Sequence, residues 1–254
     1  MYTFLNTMDL CKILNLYKYN DNECLELISE FRTTGITHFL NYGFRRIYDG
    51  FKVIGVGFTG ISMLALYNNN IVLVKVLRKD SRRESMKYEC NIIEKASKIG
   101  VAPRLYSCND KYMVMEFIDG YSLHEYIENF EAISSLYDLK IILKSIIYKT
   151  FLLDINRIDH GELSRPYKHV LISPKGVFII DFDSASVSRA PRNLTSILSG
   201  LFFRRNKLAS KISSVLGVDN NNNLLRRISS IIREYKKRID FSVVLEIMRA
   251  LKII

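Results

Sequence analysis

The sequence predicts an α+β fold of two lobes, the first strand-rich and the second mainly helical, preceded by a helical N-terminal extension. Three observations predict it. Between Phe51 and Leu77, apolar runs alternate with glycine-rich and asparagine-rich turns, the pattern of hairpins. From Ser134 to Ile158, Leu139, Ile142, Leu143 and Ile146 recur at helical spacing. After it, Asp159 to Asp183 reads as loop, strand, turn and strand, with carboxylates at both ends.

Composition narrows the class. A chain of 254 residues, 48% hydrophobic and 25% charged, is an ordinary globular protein of one or two domains. No uncharged apolar run approaches the roughly 18–20 residues of a spanning helix. The N-terminus lacks the sections of a signal peptide, so a cytoplasmic location away from membranes is expected. Cys11, Cys24, Cys90 and Cys108 are scattered without a C-x-x-C and read as buried free thiols. The formal charge of +11 is uneven, because Ser188 to Ile254 carries 14 Lys and Arg against 4 Asp and Glu. Such a tail attracts RNA or an acidic partner, although solvated helix faces give the same count.

Residues 1 to 48 read as helical, with Cys24, Leu25, Ile28 and Phe31 on one face, Asp21 or Asn22 as cap and Gly35 as stop. His38 stands alone among apolar neighbours and reads as structural. Strands begin at Phe51 and lead into Gly55-Val-Gly57-Phe-Thr-Gly60. That glycine pattern occurs in dinucleotide-binding folds and in kinase folds. A dinucleotide site needs a helix directly after the glycines. Here Ile61–Tyr67, an Asn68-Asn-Asn70 turn and Ile71–Leu77 follow, which makes a hairpin. Lys75, in V-L-V-K-V, then stands where a lysine pairs with the α- and β-phosphates. Its neighbours Val74 and Val76 argue against a solvent-facing lysine.

Asp80 to Ile99 reads as a helix stopped by Gly100. It carries Glu89 as a partner for Lys75, with Glu94 as the rival. The strand Tyr112–Ile118 ends in Met-Glu-Phe-Ile and turns at Asp119-Gly120. Backbone groups of Glu116 and Ile118 would bond an adenine edge there. Farther on stand Glu162, His169, Asp181 and Asp183. Phosphoryl transfer needs one group to orient the attacking hydroxyl and another to hold the metal. Ordinary solvated acids on a surface hairpin are the plainer alternative for this stretch.

Taken in order, these motifs resemble a minimal atypical kinase of the RIO type. They closely resemble the archaeal RIO-like group of serine/threonine protein kinases, marked by D-H-G-E-L, K-H-V, D-F-E-x-A-S and R-x-P-x-N-x-T-S. Here these read Asp159-His-Gly-Glu-Leu, Lys168-His-Val, Asp181-Phe-Asp-Ser-Ala-Ser and Arg189-Ala-Pro-Arg-Asn-Leu-Thr-Ser196, within about residues 50–203. The resemblance implies a protein-kinase-like domain over residues 49–254, with an N-lobe to about 118 and a C-lobe beyond. It implies ATP- and Mg²⁺- (or Mn²⁺-) dependent transfer to Ser or Thr of a protein substrate, the chain itself included. Gly55, Gly57 and Gly60 would cover the phosphates, Lys75 would pair with Glu89, Asp181 would carry the metal and Glu162 would orient the acceptor.

This sequence departs from the group's pattern in three places. The usual catalytic aspartate is Glu162. The metal-binding Asn, five residues after that acid in RIO-type kinases, is replaced by His169, seven residues on with Pro166 in the insertion. D-F-G has become D-F-D. Either Asp183 or His169 then completes the metal set, with Asp183 preferred because a carboxylate beside Asp181 needs no unusual ion. Autophosphorylation is expected between Ser184 and Ser199, chiefly at Ser186, Ser188, Thr195 or Ser196, with Arg189 and Arg192 to pair the phosphate. Two other readings stand. The basic tail favours an ATPase or kinase of a ribosome or tRNA-modification assembly, and the altered Glu162 and His169 favour an ATP-binding scaffold without transfer.

Overall fold

The computed structural model describes residues 3–133, 136–204, 206–217 and 222–254. It divides into two compact units, Met1–Glu94 with Pro103–Phe117, and Lys95–Ala102 with Ile118–Ile254.

The first unit opens with strand β1 (Thr3–Leu5) and helices α1 (Thr7–Asn15) and α2 (Asp21–Thr34). Asn20, rather than the expected Asp21 or Asn22, caps α2, because it stands three residues before Glu23 and forms a reciprocal capping box with it. Gly35 closes that helix at φ +102°. Strand β2 (Ile36–Asn41) follows, then a two-stranded ribbon of β3 (Arg45–Arg46) and β4 (Lys52–Val53) around a 3-10 turn at Tyr48–Gly50. Next come β5 (Gly55–Val56), β6 (Gly60–Tyr67), β7 (Asn70–Leu77), helix α3 (Lys87–Lys98), β8 (Leu105–Cys108) and β9 (Tyr112–Glu116). The main sheet runs β1-β2-β6-β7-β9-β8, with β5 paired to β6. Asn68 and Asn69, at φ +48° and +64°, make the two-residue left-handed turn between β6 and β7.

Strand β7 is apolar on both faces, so both need cover. Val72, Val74 and Val76, with Ile61, Met63 and Ala65 of β6, share one buried cluster with Leu10, Ile13, Leu14, Leu27 and Phe31 of α1 and α2. Residues 1–48 therefore differ from the helical extension expected of them. They supply two sheet strands and the helices that roof one face of the sheet. The apolar spacing of α2 was visible in sequence, but nothing there assigned its buried face to β7.

Helix α3 begins at Lys87, not Asp80. The Arg78 guanidinium grips Asp80 at 2.9 and 2.8 Å, and the Ser81 hydroxyl bonds the backbone of Arg83. Short polar side chains that bond the local backbone in this way compete with helix formation. The cysteines are not free thiols. Cys11–Cys24 ties α1 to α2 and Cys90–Cys108 ties α3 to β8. Isolated cysteines carry no pairing information in sequence; proximity in the fold supplies it.

The second unit contains β10 (Tyr121–Ser122), α4 (Leu123–Glu128), α5 (Phe130–Ile133), α6 (Leu136–Ile155), β11 (Val170–Ser173) and β12 (Gly176–Ile179). Helices α7 (Asn193–Leu198), α8 (Lys207–Val215), α9 (Asn222–Lys237) and α10 (Phe241–Ala250) complete it, with a π-helical turn at Ser199–Phe203 after α7. Strands β10, β11 and β12 form a small antiparallel sheet, so the expected hairpin is present with one strand more. Helix α6 buries Leu139, Leu143, Ile146, Ile147 and Leu153. Phe241 of α10 sets its ring against Tyr148 and Phe151 of α6. Of the long helix expected over 134–158, Ser134 lies outside the described residues. No helix among the described residues is long and apolar enough to cross a membrane.

Removing residues 1–48 should expose the Val72–Val74–Val76 face, and a chain starting at Asp49 should lose the cooperative unfolding of the first unit. Leu14 is fully buried, so Leu14→Ala in the full chain should cost about 3 kcal/mol while the protein stays folded. Urea titration followed by circular dichroism checks both; a truncated chain as stable as the full one would refute this account.

Candidate functional site

Each unit carries a cluster of polar side chains. In the first, the chain turns through the β5–β6 hairpin, where the Gly57 N–H donates to the Gly60 carbonyl at 2.9 Å. A Cβ on Gly60 would stand 2.8 Å from the Val76 carbonyl oxygen and 3.0 Å from Lys75 Cγ. Gly60 is thus required by the close approach of β6 to β7 at Lys75. At Gly55 an added Cβ would meet nothing, so the protein's own packing does not demand glycine there. Arg78 holds the hairpin from outside, donating to the Gly57 carbonyl at 2.6 Å and lying over the Tyr17 ring at 4.8 Å.

Lys75 lies on the face of β7 opposite the three valines, with Ser62 and Met113 as its neighbours in register. Its Nζ donates to Glu89 Oε1 at 2.7 Å, and the Glu89 side chain is 1% exposed. The other carboxylate oxygen accepts from Arg83 at 3.1 Å. A carboxylate this deeply buried is tolerable only when paired, and two cations pair it. Glu94, the rival partner, falls on the exposed face of α3. Arg83 was not anticipated, because it is one of two adjacent arginines and nothing in sequence sets it apart from Arg82.

In the second unit, Glu162, His169 and Asp181 stand together. Glu162 accepts the Ser184 hydroxyl on Oε1 at 2.5 Å, and its Oε2 lies 3.3 Å from His169 Nε2. His169 Nδ1 lies 3.8 Å from Asp181 Oδ2, too far for a hydrogen bond. That nitrogen is buried and has no hydrogen-bond partner. Asp181 holds φ +66°, a left-handed conformation that aspartate tolerates better than most residues. The bend it makes sets Asp181 apart from the regular course of β12. Asp183 is partly exposed two residues on.

His160 organises this group and was not anticipated, although H-x-E within D-H-G-E-L was a usable signal. It is fully buried. Its Nε2–H donates to the Ile180 carbonyl at 3.0 Å, and its Nδ1 accepts the Glu162 N–H at 3.4 Å. The two bonds assign one neutral tautomer and clamp the backbone at Glu162 to that beside Asp181. Burial pushes its pKa down to about 4. The His160 N–H in turn donates to Asn193 Oδ1 at 2.9 Å.

Asn193 leads to Asp154 at the end of α6. Asp154 accepts from the Asn193 backbone and side chain, from the Leu194 N–H and from the Tyr235 hydroxyl, at 2.7 to 3.1 Å. Burial raises its carboxyl above the usual range despite these donors, and burial beside that carboxylate raises the Tyr235 phenol too. The sequence signal for Asp154 was a lone acid in the apolar run Phe151-Leu-Leu-Asp-Ile155. At the other edge, Arg189 donates to Asp159 at 2.9 Å and to the Ser184 carbonyl at 2.6 Å. It is therefore engaged within the loop expected to receive a phosphate. Ser186 is buried, whereas Ser188 is exposed.

The remaining expected residues fall elsewhere. The Glu116 N–H donates to the Arg104 carbonyl at 2.7 Å, and Ile118 is buried just after the chain passes into the second unit. Among the described residues, no three His, Cys, Asp or Glu side chains are arranged to hold a metal by themselves. The donor chemistry of Asp181 and the orphaned His169 nitrogen nevertheless fits a divalent ion that takes its other ligands from phosphate oxygens or water.

A family model described as the RIO domain matches residues 68–199, half of the chain. An uncharacterized protein of Methanocaldococcus jannaschii is 33% identical over 125 residues, which are 48% of this chain and 99% of that relative.

The buried His160 gives a pH test. Above pH about 6.5 the ring is neutral in both folded and unfolded chains. Below it the unfolded ring takes a proton that the folded ring refuses down to about pH 4. Stability present at neutral pH is therefore lost on acidification, by about 3 kcal/mol from this group. His160→Gln keeps a donor and an acceptor without titrating. Urea midpoints of the two proteins should converge between pH 7 and 4; parallel curves would refute the assignment.

Proposed function

The chain belongs to the RIO-domain family of atypical kinases and ATPases, and we propose that it transfers the terminal phosphoryl group of ATP to Ser or Thr hydroxyls, its own included. The observation that carries this reading is the buried Lys75–Glu89 pair at 2.7 Å, on the strand that follows the glycine hairpin. Phosphoryl transfer depends on positioning and charge stabilisation. Glu89 fixes the Lys75 ammonium, which would meet the α- and β-phosphates, and Arg83 holds the other oxygen of Glu89. Gly55 and Gly57 would let the hairpin backbone approach the phosphates without side chains intervening. A divalent ion carried by Asp181, with Asp183 or His169 beside it, would neutralise charge on the phosphate oxygens.

Glu162 would orient the acceptor hydroxyl and receive its proton. Its carboxylate already accepts a serine hydroxyl, that of Ser184, so its reach and direction suit the role. The extra methylene relative to aspartate is compatible with that contact. His160 acts as a positioning residue, holding the Glu162 backbone.

A second reading, action within an RNA-containing assembly, is favoured by helix α9, which exposes Arg226, Arg227, Arg233, Lys236 and Lys237, with Arg238 exposed just after it. Binding to single-stranded RNA that weakens steeply between about 50 and 200 mM salt is expected from it. Filter binding with no retention at low salt would remove this reading.

Lys75→Met should lower phosphoryl transfer by roughly 100-fold or more, with the chain still folded but the urea midpoint lowered, because the buried Glu89 loses one of its cations. Radiolabel transfer from ATP to a serine-rich protein and to the chain itself is the assay. Turnover at the wild-type rate would show that the register is misassigned. Hydrolysis of ATP without any labelled protein would reduce the activity to that of an ATPase.

A further inference from the structure

The imidazole of His169 is the one polar group near Glu162 whose environment is unexplained. Its side chain is 7% exposed, and Nδ1 is shut away from solvent without a hydrogen-bond partner. Leaving a polar atom buried and unsatisfied is unfavourable, so such an atom calls for a reason. Its nearest carboxylate oxygen is Asp181 Oδ2, at 3.8 Å. That separation is too long for a hydrogen bond, yet it is within the span of two metal–ligand bonds of about 2 Å each. The opposite nitrogen, Nε2, faces Glu162 Oε2 at 3.3 Å. A histidine that ligates a metal through one nitrogen usually turns the other N–H to a carboxylate or carbonyl, which fixes the tautomer and strengthens the ligand. His169 has that arrangement in full: a carboxylate behind, and a bare, buried nitrogen in front beside a second carboxylate.

We propose that His169 Nδ1 and Asp181 Oδ2 are the protein ligands of the divalent ion, and that the nitrogen gives the site a preference for a first-row transition ion over Mg²⁺. The inference rests on the phosphotransferase reading and chooses between the two candidate partners of Asp181. Mg²⁺ prefers an all-oxygen octahedron, whereas imidazole suits transition ions. Pro166 opens the 3-10 turn Pro166–Lys168 that delivers His169, and the His169 N–H closes it on the Pro166 carbonyl at 3.1 Å. The Ile180 N–H donates to the His169 carbonyl at 3.0 Å. The ring is thereby anchored by backbone on both sides, next to the residue that precedes Asp181. Glu162 gains a second role as the group that orients His169.

The test uses the full chain labelled with ¹⁵N-histidine, Mn²⁺ as the probe ion and a non-hydrolysable ATP analogue. Pulsed electron paramagnetic resonance reads nitrogen coupled to the Mn²⁺ spin, and the label separates histidine from the adenine nitrogens. A ¹⁵N coupling is expected in the wild-type protein and should vanish in His169→Asn. Calorimetry should show Mn²⁺ affinity reduced about tenfold in that variant, with Mg²⁺ affinity maintained or improved. Bound Mn²⁺ without histidine coupling in the labelled wild-type protein overturns the inference, whether or not the variant folds. If ATP is still turned over in that case, the phosphotransferase reading survives it. Failure to bind the nucleotide with any ion overturns both.

Discussion

The carboxylate of Asp154 is where the second unit is knotted together. It is 1% exposed and accepts four hydrogen bonds, from residues of α7 and α9, at the end of α6. A buried carboxylate has a large desolvation cost, and replacing one donor would leave part of it unanswered. The three helices are therefore constrained to one mutual arrangement by a group that cannot accept an approximate one. From Asn193 the constraint passes to the His160 N–H, and from the His160 ring to the backbone at Glu162 and Ile180. The acids beside His169 thus take their positions from a polar chain that begins at the end of α6.

The first unit is governed by a different constraint. Strand β7 is apolar on both faces from Ile71 to Leu77, and Lys75 is the exception on one of them. The valine face is covered by α1 and α2, which leaves the Lys75 face to α3 and its glutamate. Covering one side with the N-terminal helices is what allows the other to hold a buried ion pair. Gly60 adds a steric condition, since β6 must come close enough to β7 to crowd out any side chain beside Lys75.

Much of this was legible in sequence, because short-range patterns carried it. The glycine hairpin, the Asn68-Asn-Asn70 turn, Lys75 on the strand after it, and the β11–β12 hairpin all follow from local spacing and turn chemistry, whereas spacing alone left Glu94 beside Glu89 as the partner of Lys75. The misreadings share a cause, which is that their partners are distant in sequence. Strand β2 finds β6, and Cys11 and Cys90 find Cys24 and Cys108 only once helices and strands are packed. Asp154 and His160 depend on Asn193, more than thirty residues away. The late start of α3 is local, but it turns on side chains bonding their own backbone, which periodicity does not register. The Glu162–His169–Asp181 grouping was half visible: the residue types were evident, while the two-residue insertion hid the direction in which the His169 ring points.

The Cys90–Cys108 bond carries a consequence for motion. Cys90 follows Glu89 directly on α3, and Cys108 ends β8, which is hydrogen-bonded into the main sheet through β9. A helix joined covalently to the sheet one residue from its key glutamate cannot roll or slide there as a free element would. With the bond closed, Glu89 cannot be withdrawn from Lys75 by displacement of the helix alone. The lysine–glutamate pair is in that state a fixed part of the scaffold rather than a contact to be made and broken, and any on–off control of the protein must operate on some other element.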